Sequence, residues 1–150
     1  MPNGTGADFR GEDNNIGLGI VIADNFQIGS TLLSATGAEL NQYAVQASFA
    51  DANTAGSIFV TVPHAGNIVG LYAVNSVTNS TAKTVLLAKI ATVTVTAPAW
   101  EIAITQAAGV TTNVVPTAAN VITAGAVIEI ASDGGGTPAM QVEITIVISR

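Results

Sequence analysis

The chain has 150 residues, a net charge of −6 and a charged fraction of 9%, against a usual share of about 25%. It contains no cysteine, which excludes disulfides and thiolate metal sites. Four basic residues are too few for a phosphate-binding patch, and no apolar run reaches the roughly 18 residues of a membrane helix, so we expect neither nucleic-acid nor membrane binding.

Residues 1–17 differ from the rest of the chain. They hold four of the fourteen charged residues, several glycines and asparagines, and few apolar groups. Because little apolar surface is available to offset the entropy of ordering, we predict an extended arm that a partner orders. A plain disordered terminus is the alternative.

Residues 18–56 are predicted to form short strands and one short helix. The apolar stretch 16–23 reads as a strand, and Phe26 and Ile28 extend its pattern beyond a turn. Thr36 followed by Glu39 is a capping-box pattern, which predicts a helix over about 36–43.

From residue 57 the apolar residues recur with a period of two, which indicates strands. In the clearest strand, 140–149, every second residue is apolar from Met140 to Ile148. Roughly eight strands are predicted, at 57–62, 67–74, 83–90, 92–96, 100–105 (with Trp100, Ile102 and Ile104 on one face), 110–115, 126–131 and 140–149. Because no helix of crossover length separates them, we predict an all-β fold, with residues 57–150 as an antiparallel β-sandwich or jelly-roll-like core.

The edges of such a sandwich lack their usual protection. Edge strands generally carry charges that prevent pairing with other chains, yet Lys83 and Lys89 are almost the only candidates, and Ile58–Val62 has none. Neutral hydroxyls and amides also cost less to desolvate than ions. We therefore expect a closed oligomer that covers the edges and a surface buried against neighbours; a neutral, threonine-rich surface without a partner is the alternative.

Catalytic groups are sparse. His64 is the only histidine, the sequence has no nucleophile elbow, and an imidazole metal site needs several ligands. Any two of the ten carboxyl groups could approach each other in the fold, which leaves a glycosidase-like pair open. We expect His64 to lie in an ordinary turn, and the protein to be no enzyme and to hold no cofactor or metal.

Two further features have structural interpretations. The stretch Asp133-Gly-Gly-Gly136 lies between strands and opens no helix, so it predicts a mobile hairpin tip rather than a phosphate cradle or a calcium loop. Trp100 and Tyr72 are predicted to fill the core or an interface. Trp100, close to Pro98, has the alternative role of an anchor at an interface rim.

The layout of the chain resembles that of the head decoration, or cement, proteins of tailed bacteriophages. The resemblance rests on the arm ending in Gly11-Glu-Asp-Asn-Asn15, on the Ala-, Thr- and Val-rich strands, and on the small-residue stretch 115–134 before a final apolar strand. It implies a small β-rich subunit, often trimeric, that sits on the outer capsid and ties neighbouring capsomers together.

The resemblance thus gives a set of expectations. The chain is expected to be a structural virion protein that is made in the host cytoplasm and binds the major capsid protein as a homotrimer. Its arm would contact the capsid or a neighbouring copy, with Phe9 as apolar anchor and Arg10 as the cation; the candidate contact residues are Phe9, Arg10, Glu12, Asp13, Asn14 and Asn15. A phage head-fibre or tail-fibre domain for host attachment and a carbohydrate-binding module are the alternatives.

Overall fold

The computed structural model describes residues 26–28, 31–33 and 41–150. In the first of its two compact units, which ends at Thr36, strand β1 (Phe26–Ile28) pairs antiparallel with β2 (Thr31–Leu33). Phe26 and Ile28 therefore lie in a strand, as their pattern predicts. The predicted strand over 16–23 lies outside the described residues.

The second unit contains ten strands in two antiparallel sheets. Sheet I has the order β3, β12, β5, with β9 and β10 both on the far edge of β5; sheet II has the order β4, β11, β6, with β7 and β8 both on the far edge of β6. The strands are β3 (Gln42–Phe49), β4 (Gly56–Thr61), β5 (Gly66–Asn75), β6 (Thr84–Ile90), β7 (Val93–Thr94), β8 (Trp100–Ile102), β9 (Thr111–Val114), β10 (Val121–Ile122), β11 (Val127–Ser132) and β12 (Val142–Ser149).

The order of the strands is that of a jelly roll. Strands β7 and β8 act as one broken strand beside β6, and β9 and β10 act as another beside β5. With these joined, each sheet has four strand positions, and the chain passes to the other sheet at β3–β4, β4–β5, β5–β6, β8–β9, β10–β11 and β11–β12. Such alternation between two four-stranded sheets defines the jelly roll. The predicted all-β antiparallel sandwich is confirmed.

The core lies between the two sheets and is built from period-two strands. In β12, Val142, Ile144, Ile146 and Ile148 are buried, while Glu143 points to solvent, as the sequence predicts. Buried residues of sheet II, among them Ile128 and Ile130, also join this core. Met140, just before β12, is fully buried as well.

The predicted helix over 36–43 is wrong at its C-terminal end. Residues 36–40 lie outside the described part of the chain, but Gln42 and Tyr43 begin strand β3, and the described residues contain no helix. The physical reason is the pattern that follows: residues 42–49 alternate between solvent and core, which a strand satisfies and a short helix does not. The sandwich therefore includes a strand that precedes the predicted core boundary at residue 57.

Two predicted strands are shorter than expected. The strand predicted at 92–96 is reduced to Val93–Thr94, because Ala91 and Thr92 form a two-residue turn in which both have positive φ, 47° and 72°. Such turns usually contain glycine or asparagine, and because this one contains neither, it could not be predicted from the sequence. Ile104, predicted to share a buried face with Trp100 and Ile102, lies beyond the end of β8 and is 50% exposed.

Candidate functional site

The outer side of sheet I presents a broad surface of uncharged side chains, which we call the neutral face. Residues alternate between the core and this face, and the register aligns the outward residues of neighbouring strands in rows. One row contains Asn113, Tyr72, Thr145 and Gln46, and the next contains Thr111, Val74, Glu143 and Ser48. Glu143 is the single charged residue of these two rows.

Tyr72 occupies the middle of the neutral face. Its side chain is 37% exposed, and its ring lies over Gly70, where a Cβ would collide with the ring. The glycine therefore lets the tyrosine lie against the sheet. This position excludes the core interpretation of Tyr72, because the residue faces outward, and the interface interpretation stays a prediction.

The outer side of sheet II, which we call the charged face, has a different character. Lys89 Nζ lies 3.1 Å from Glu129 Oε1, and Ser57 Oγ donates a hydrogen bond of 2.7 Å to the same oxygen. The hydrogen bond from Ser57, followed by that from Lys89, lowers the pKa of Glu129. Lys83 Nζ lies 2.7 Å from Glu101 Oε2, and this bond raises the pKa of Lys83.

A second set of polar side chains is buried at one end of the sandwich, where the connections 50–55, 76–83, 103–110 and 133–141 meet. We call it the amide cluster, and it consists of Asn53, Asn75, Asn79, Thr84 and Gln106. Of these, Asn75, Asn79 and Thr84 are fully buried. Buried polar groups require hydrogen-bond partners, and each member of the cluster has them.

Asn79 is the centre of the amide cluster. Its Nδ2 donates to the carbonyl oxygens of Ala82, Ile102 and Ala103 at 2.9, 3.1 and 3.3 Å, and its Oδ1 accepts from Asn53 Nδ2 at 3.5 Å. One side chain thus joins three of the four connections. Its polar atoms are occupied by the protein's own groups, which assigns it a structural role.

The remaining members extend the same network. Thr84 Oγ1 donates to Asn53 Oδ1 at 2.5 Å, and Asn53 Nδ2 donates to the Pro138 carbonyl at 2.5 Å. On the other flank, Gln106 Nε2 donates to Asn75 Oδ1 at 3.0 Å, and Asn75 Nδ2 donates to the Val77 carbonyl at 2.7 Å. The connections are therefore tied to each other by side chains as well as by backbone.

The loop Asp133–Gly136 packs against this cluster. Asp133 Oδ1 accepts hydrogen bonds from the backbone N–H of Val85 at 2.8 Å and of Gly135 at 3.3 Å. Gly136 is buried, and a Cβ there would collide with the side-chain oxygens of Asn79 and Asn53. The predicted hairpin is wrong, because β11 and β12 lie in different sheets, and the glycines of the loop serve close packing.

Asp51 lies beside the amide cluster and joins the start of β12 to the β3–β4 connection. Its Oδ1 accepts from the backbone N–H groups of Met140 and Asn53, both at 2.9 Å, and its Oδ2 accepts from Thr54 Oγ1 at 2.8 Å. These bonds favour the carboxylate, so they lower the pKa of Asp51, with the Met140 N–H as the largest contribution.

His64 lies in the turn between β4 and β5, as the sequence predicts. Its carbonyl oxygen accepts a hydrogen bond from the Tyr43 hydroxyl, and the two rings meet edge to face with their centroids 5.8 Å apart. The Arg150 guanidinium lies 5.3 Å from the centroid of the Tyr43 ring, within cation–π range. These contacts fasten the end of the sandwich at which β3 begins and β12 ends.

Trp100 is a core residue, as one of its two interpretations predicts. It is 3% exposed, and within the described part of the chain its Nε1 has no hydrogen-bond partner. A mainly apolar recess of about 310 Å³ lies beside it, between β6 and residues 94–100. Burial in the core excludes the alternative role of Trp100 as a rim anchor.

The six predicted arm residues, Phe9, Arg10, Glu12, Asp13, Asn14 and Asn15, lie outside the described residues, so their role stays a prediction. Within residues 26–28, 31–33 and 41–150, no three His, Cys, Asp or Glu side chains are grouped to hold a metal ion. The same ranges contain no helix that is long and apolar enough to span a membrane. No protein-family model, no curated protein and no solved structure matches the chain.

Proposed function

We propose that this chain is a structural virion protein that decorates and stabilises a bacteriophage capsid, binding between capsomers on its outer surface through the neutral face. The observation that carries the proposal is the composition of that face. The two rows described above cross four strands with one charge, Glu143, and with Tyr72 near the middle of its row. The resemblance of the sequence to phage head decoration proteins points in the same direction.

Desolvation favours the neutral face over the charged face as the contact surface. Covering Thr145 or Asn113 removes water from neutral groups, for which a partner's hydrogen bonds can substitute. Covering the charged face would instead desolvate the Lys89–Glu129 and Lys83–Glu101 pairs, and that cost can exceed the Coulombic gain. An outward tyrosine surrounded by neutral residues also suits the centre of an interface, where tyrosine is enriched.

The jelly roll is compatible with this function without assigning it. The same architecture serves viral capsid proteins, lectins and cupins, so the argument must rest on the surface rather than on the fold. What the fold contributes is a four-stranded sheet that projects alternate residues outward. Such a sheet can cover a junction between neighbouring subunits.

A pair of matched substitutions tests the proposal. Thr145→Lys places a charge at the centre of the neutral face, and Thr94→Lys places the same charge on the charged face, where Thr94 lies opposite Lys89. Co-sedimentation with purified undecorated heads of the phage that encodes the chain measures binding. We expect wild type and Thr94→Lys to bind, and Thr145→Lys to bind at least about tenfold more weakly, because the contact would bury an unpaired ammonium group.

Two outcomes would contradict the proposal. If wild type does not sediment with heads, the capsid assignment fails, and binding to host cells in the same format would support the fibre alternative. If both lysine variants bind like wild type, the neutral face is not the contact surface. Urea unfolding of each variant verifies that both are folded.

A further inference from the structure

The two lateral sides of the sandwich are built differently. On one side the edges consist of β7, β8, β9 and β10, which have two to four residues each and are interrupted at Pro98 and Pro116. On the other, which we call the open side, the edges are β3 and β4, with eight and six residues. Neither β3 nor β4 contains a charged residue or a proline.

Short strands, prolines and charges are the usual protection of an edge against pairing with another chain. One side of this sandwich has such protection and the open side lacks it. Among the described residues, β3 pairs only with β12, and β4 pairs only with β11. Within the described ranges, a row of backbone N–H and C=O groups along each of these two edges therefore has no strand partner.

The core is also less closed on the open side. At the protected edges, Trp100, Val114 and Ile122 are buried, although Val93 of β7 is 58% exposed. On the open side, Phe49 is buried, whereas four other inward residues are half-buried although they pack against the core: Tyr43, Val45, Ile58 and Val60. Half-buried apolar residues thus lie between the two unpaired edges. A partner that covers the edges and these residues together would be held by backbone hydrogen bonds and by burial of apolar surface.

We infer that the open side is an interface between two copies of this chain, in which β3 of one copy pairs antiparallel with β3 of the other across a two-fold axis at Gln46. The inference goes beyond the proposed function and does not rest on it, because the free protein would pair without a capsid. It assigns the backbone edge of β3, at the margin of the neutral face, to self-association.

The residues of β3 suit this register. With Gln46 opposite its own copy, Ala44 lies opposite Ser48 and Tyr43 lies opposite Phe49. Outward residues then meet outward residues and inward residues meet inward ones, which a strand requires because its side chains alternate. Like charges directly opposite each other would destabilise such a pair, and none oppose each other along the strand.

The charges at the two ends of β3 favour the antiparallel direction. The Arg150 backbone N–H donates to Asn41, beside the start of β3, while Asp51 follows its end. Antiparallel pairing brings the Arg150 end of one copy to the Asp51 end of the other. A three-fold axis along the strands would instead gather every Arg150 at one end, so the inferred pair differs from the trimer that the resemblance implies.

Single-cysteine variants test the register, because the full chain contains no cysteine. In Gln46→Cys the two Cα atoms would be about 5 Å apart, within disulfide range. Ala44→Cys lies on the same strand and face, but its cysteine would lie opposite Ser48 of the second copy. The two introduced cysteines would therefore be offset by four residues along the strands, or about 13 Å. After mild oxidation we expect most of Gln46→Cys, and little of Ala44→Cys, to run as a dimer on non-reducing gels.

Light scattering of the purified full chain, without heads, gives a second readout. We expect wild type to have twice the 15.0 kDa chain mass. Gln46→Lys would place two ammonium groups opposite each other and halve the mass, whereas Thr145→Lys, one strand inward on the same face, would leave it unchanged. A monomeric or trimeric wild type, or equal cross-linking at positions 44 and 46, would overturn the inference.

Discussion

Asparagine and threonine side chains occupy two regions of this molecule and have opposite roles in them. In the amide cluster, Asn79 and Thr84 are fully buried, and their polar atoms bond to other parts of the chain. On the neutral face, Asn113 and Thr145 lie in the same row across the strands, and their side chains form no hydrogen bond with the described residues. Neutral polar groups therefore occur in two settings: in the amide cluster they hold the connections together, and on the neutral face they point outward.

The largest difference between the two regions is expected for asparagine. Asn79→Ala removes the donor that serves the carbonyl oxygens of Ala82, Ile102 and Ala103, and it leaves these acceptors, of which that of Ile102 is buried, without that partner. We expect the free energy of unfolding to fall by about 3 kcal/mol. Asn113→Ala, the matched change on the neutral face, should alter it by less than about 0.5 kcal/mol.

Urea unfolding at neutral pH measures both variants under one condition. Equal losses in Asn79→Ala and Asn113→Ala would show that the amide cluster does not stabilise the fold more than an exposed row does. A large loss in Asn113→Ala alone would reverse the comparison. The slope of the unfolding transition should stay constant, because both variants keep the same buried surface.

A smaller effect is expected for threonine, where the change preserves shape. Thr84→Val removes the hydroxyl that donates to Asn53 Oδ1, while Thr145→Val removes an outward hydroxyl from the neutral face. Because valine has the same branching, the difference isolates the hydrogen bond. We expect Thr84→Val to lose about 1–2 kcal/mol and Thr145→Val to lose less than about 0.5 kcal/mol, measured by urea unfolding.

Either of two results would weaken the comparison. If both threonine variants unfold at the wild-type urea concentration, the Thr84 hydroxyl is not needed for stability. If Thr145→Val is the more destabilised, the neutral face has a structural role, and its composition no longer needs a partner as its explanation.

The sequence predicts the strands better than it predicts their surroundings. The alternation of β12 is visible in Val142, Ile144, Ile146 and Ile148, and its burial is confirmed. Strand β3 was missed because the capping-box pattern at Thr36 competed with a weak alternation of small and polar residues. Local signals that agree with the final fold can be read from sequence, whereas conflicting ones are decided by long-range pairing, here with β12.

The two polar regions could not be distinguished from sequence. The row that joins Asn113, Tyr72, Thr145 and Gln46 depends on a register between strands that are far apart in the chain. In the same way, Asn53 and Asn79 resemble ordinary loop residues, and they meet, with Asn79 buried and Asn53 half-buried, only because four connections come together. The predicted glycine-rich hairpin tip shows the same limit, since Gly136 becomes a packing position only beside these amides.

The smallest expected effect concerns Asp51 and appears only in acid. Hydrogen bonds from Met140, Thr54 and Asn53 lower the pKa of Asp51 in the folded state, so the folded protein binds this proton less readily than the unfolded chain. Such a group stabilises the fold above its unfolded pKa of about 3.9, and the stabilisation is lost as the pH falls through the lower, folded value. We expect wild-type stability to decline below about pH 4 for this reason.

Asp51→Asn should remove this part of the decline, because an amide does not titrate over that range. Thr54→Ala, which removes one of the three donors, should give a profile between the two. Urea unfolding at pH values from about 7 down to about 2.5 measures all three proteins. Parallel profiles for wild type and Asp51→Asn would contradict the assignment. A shallower profile in Asp51→Asn would place even this carboxylate among the groups that hold the connections together, leaving the neutral face as the region whose polar groups are free for a partner.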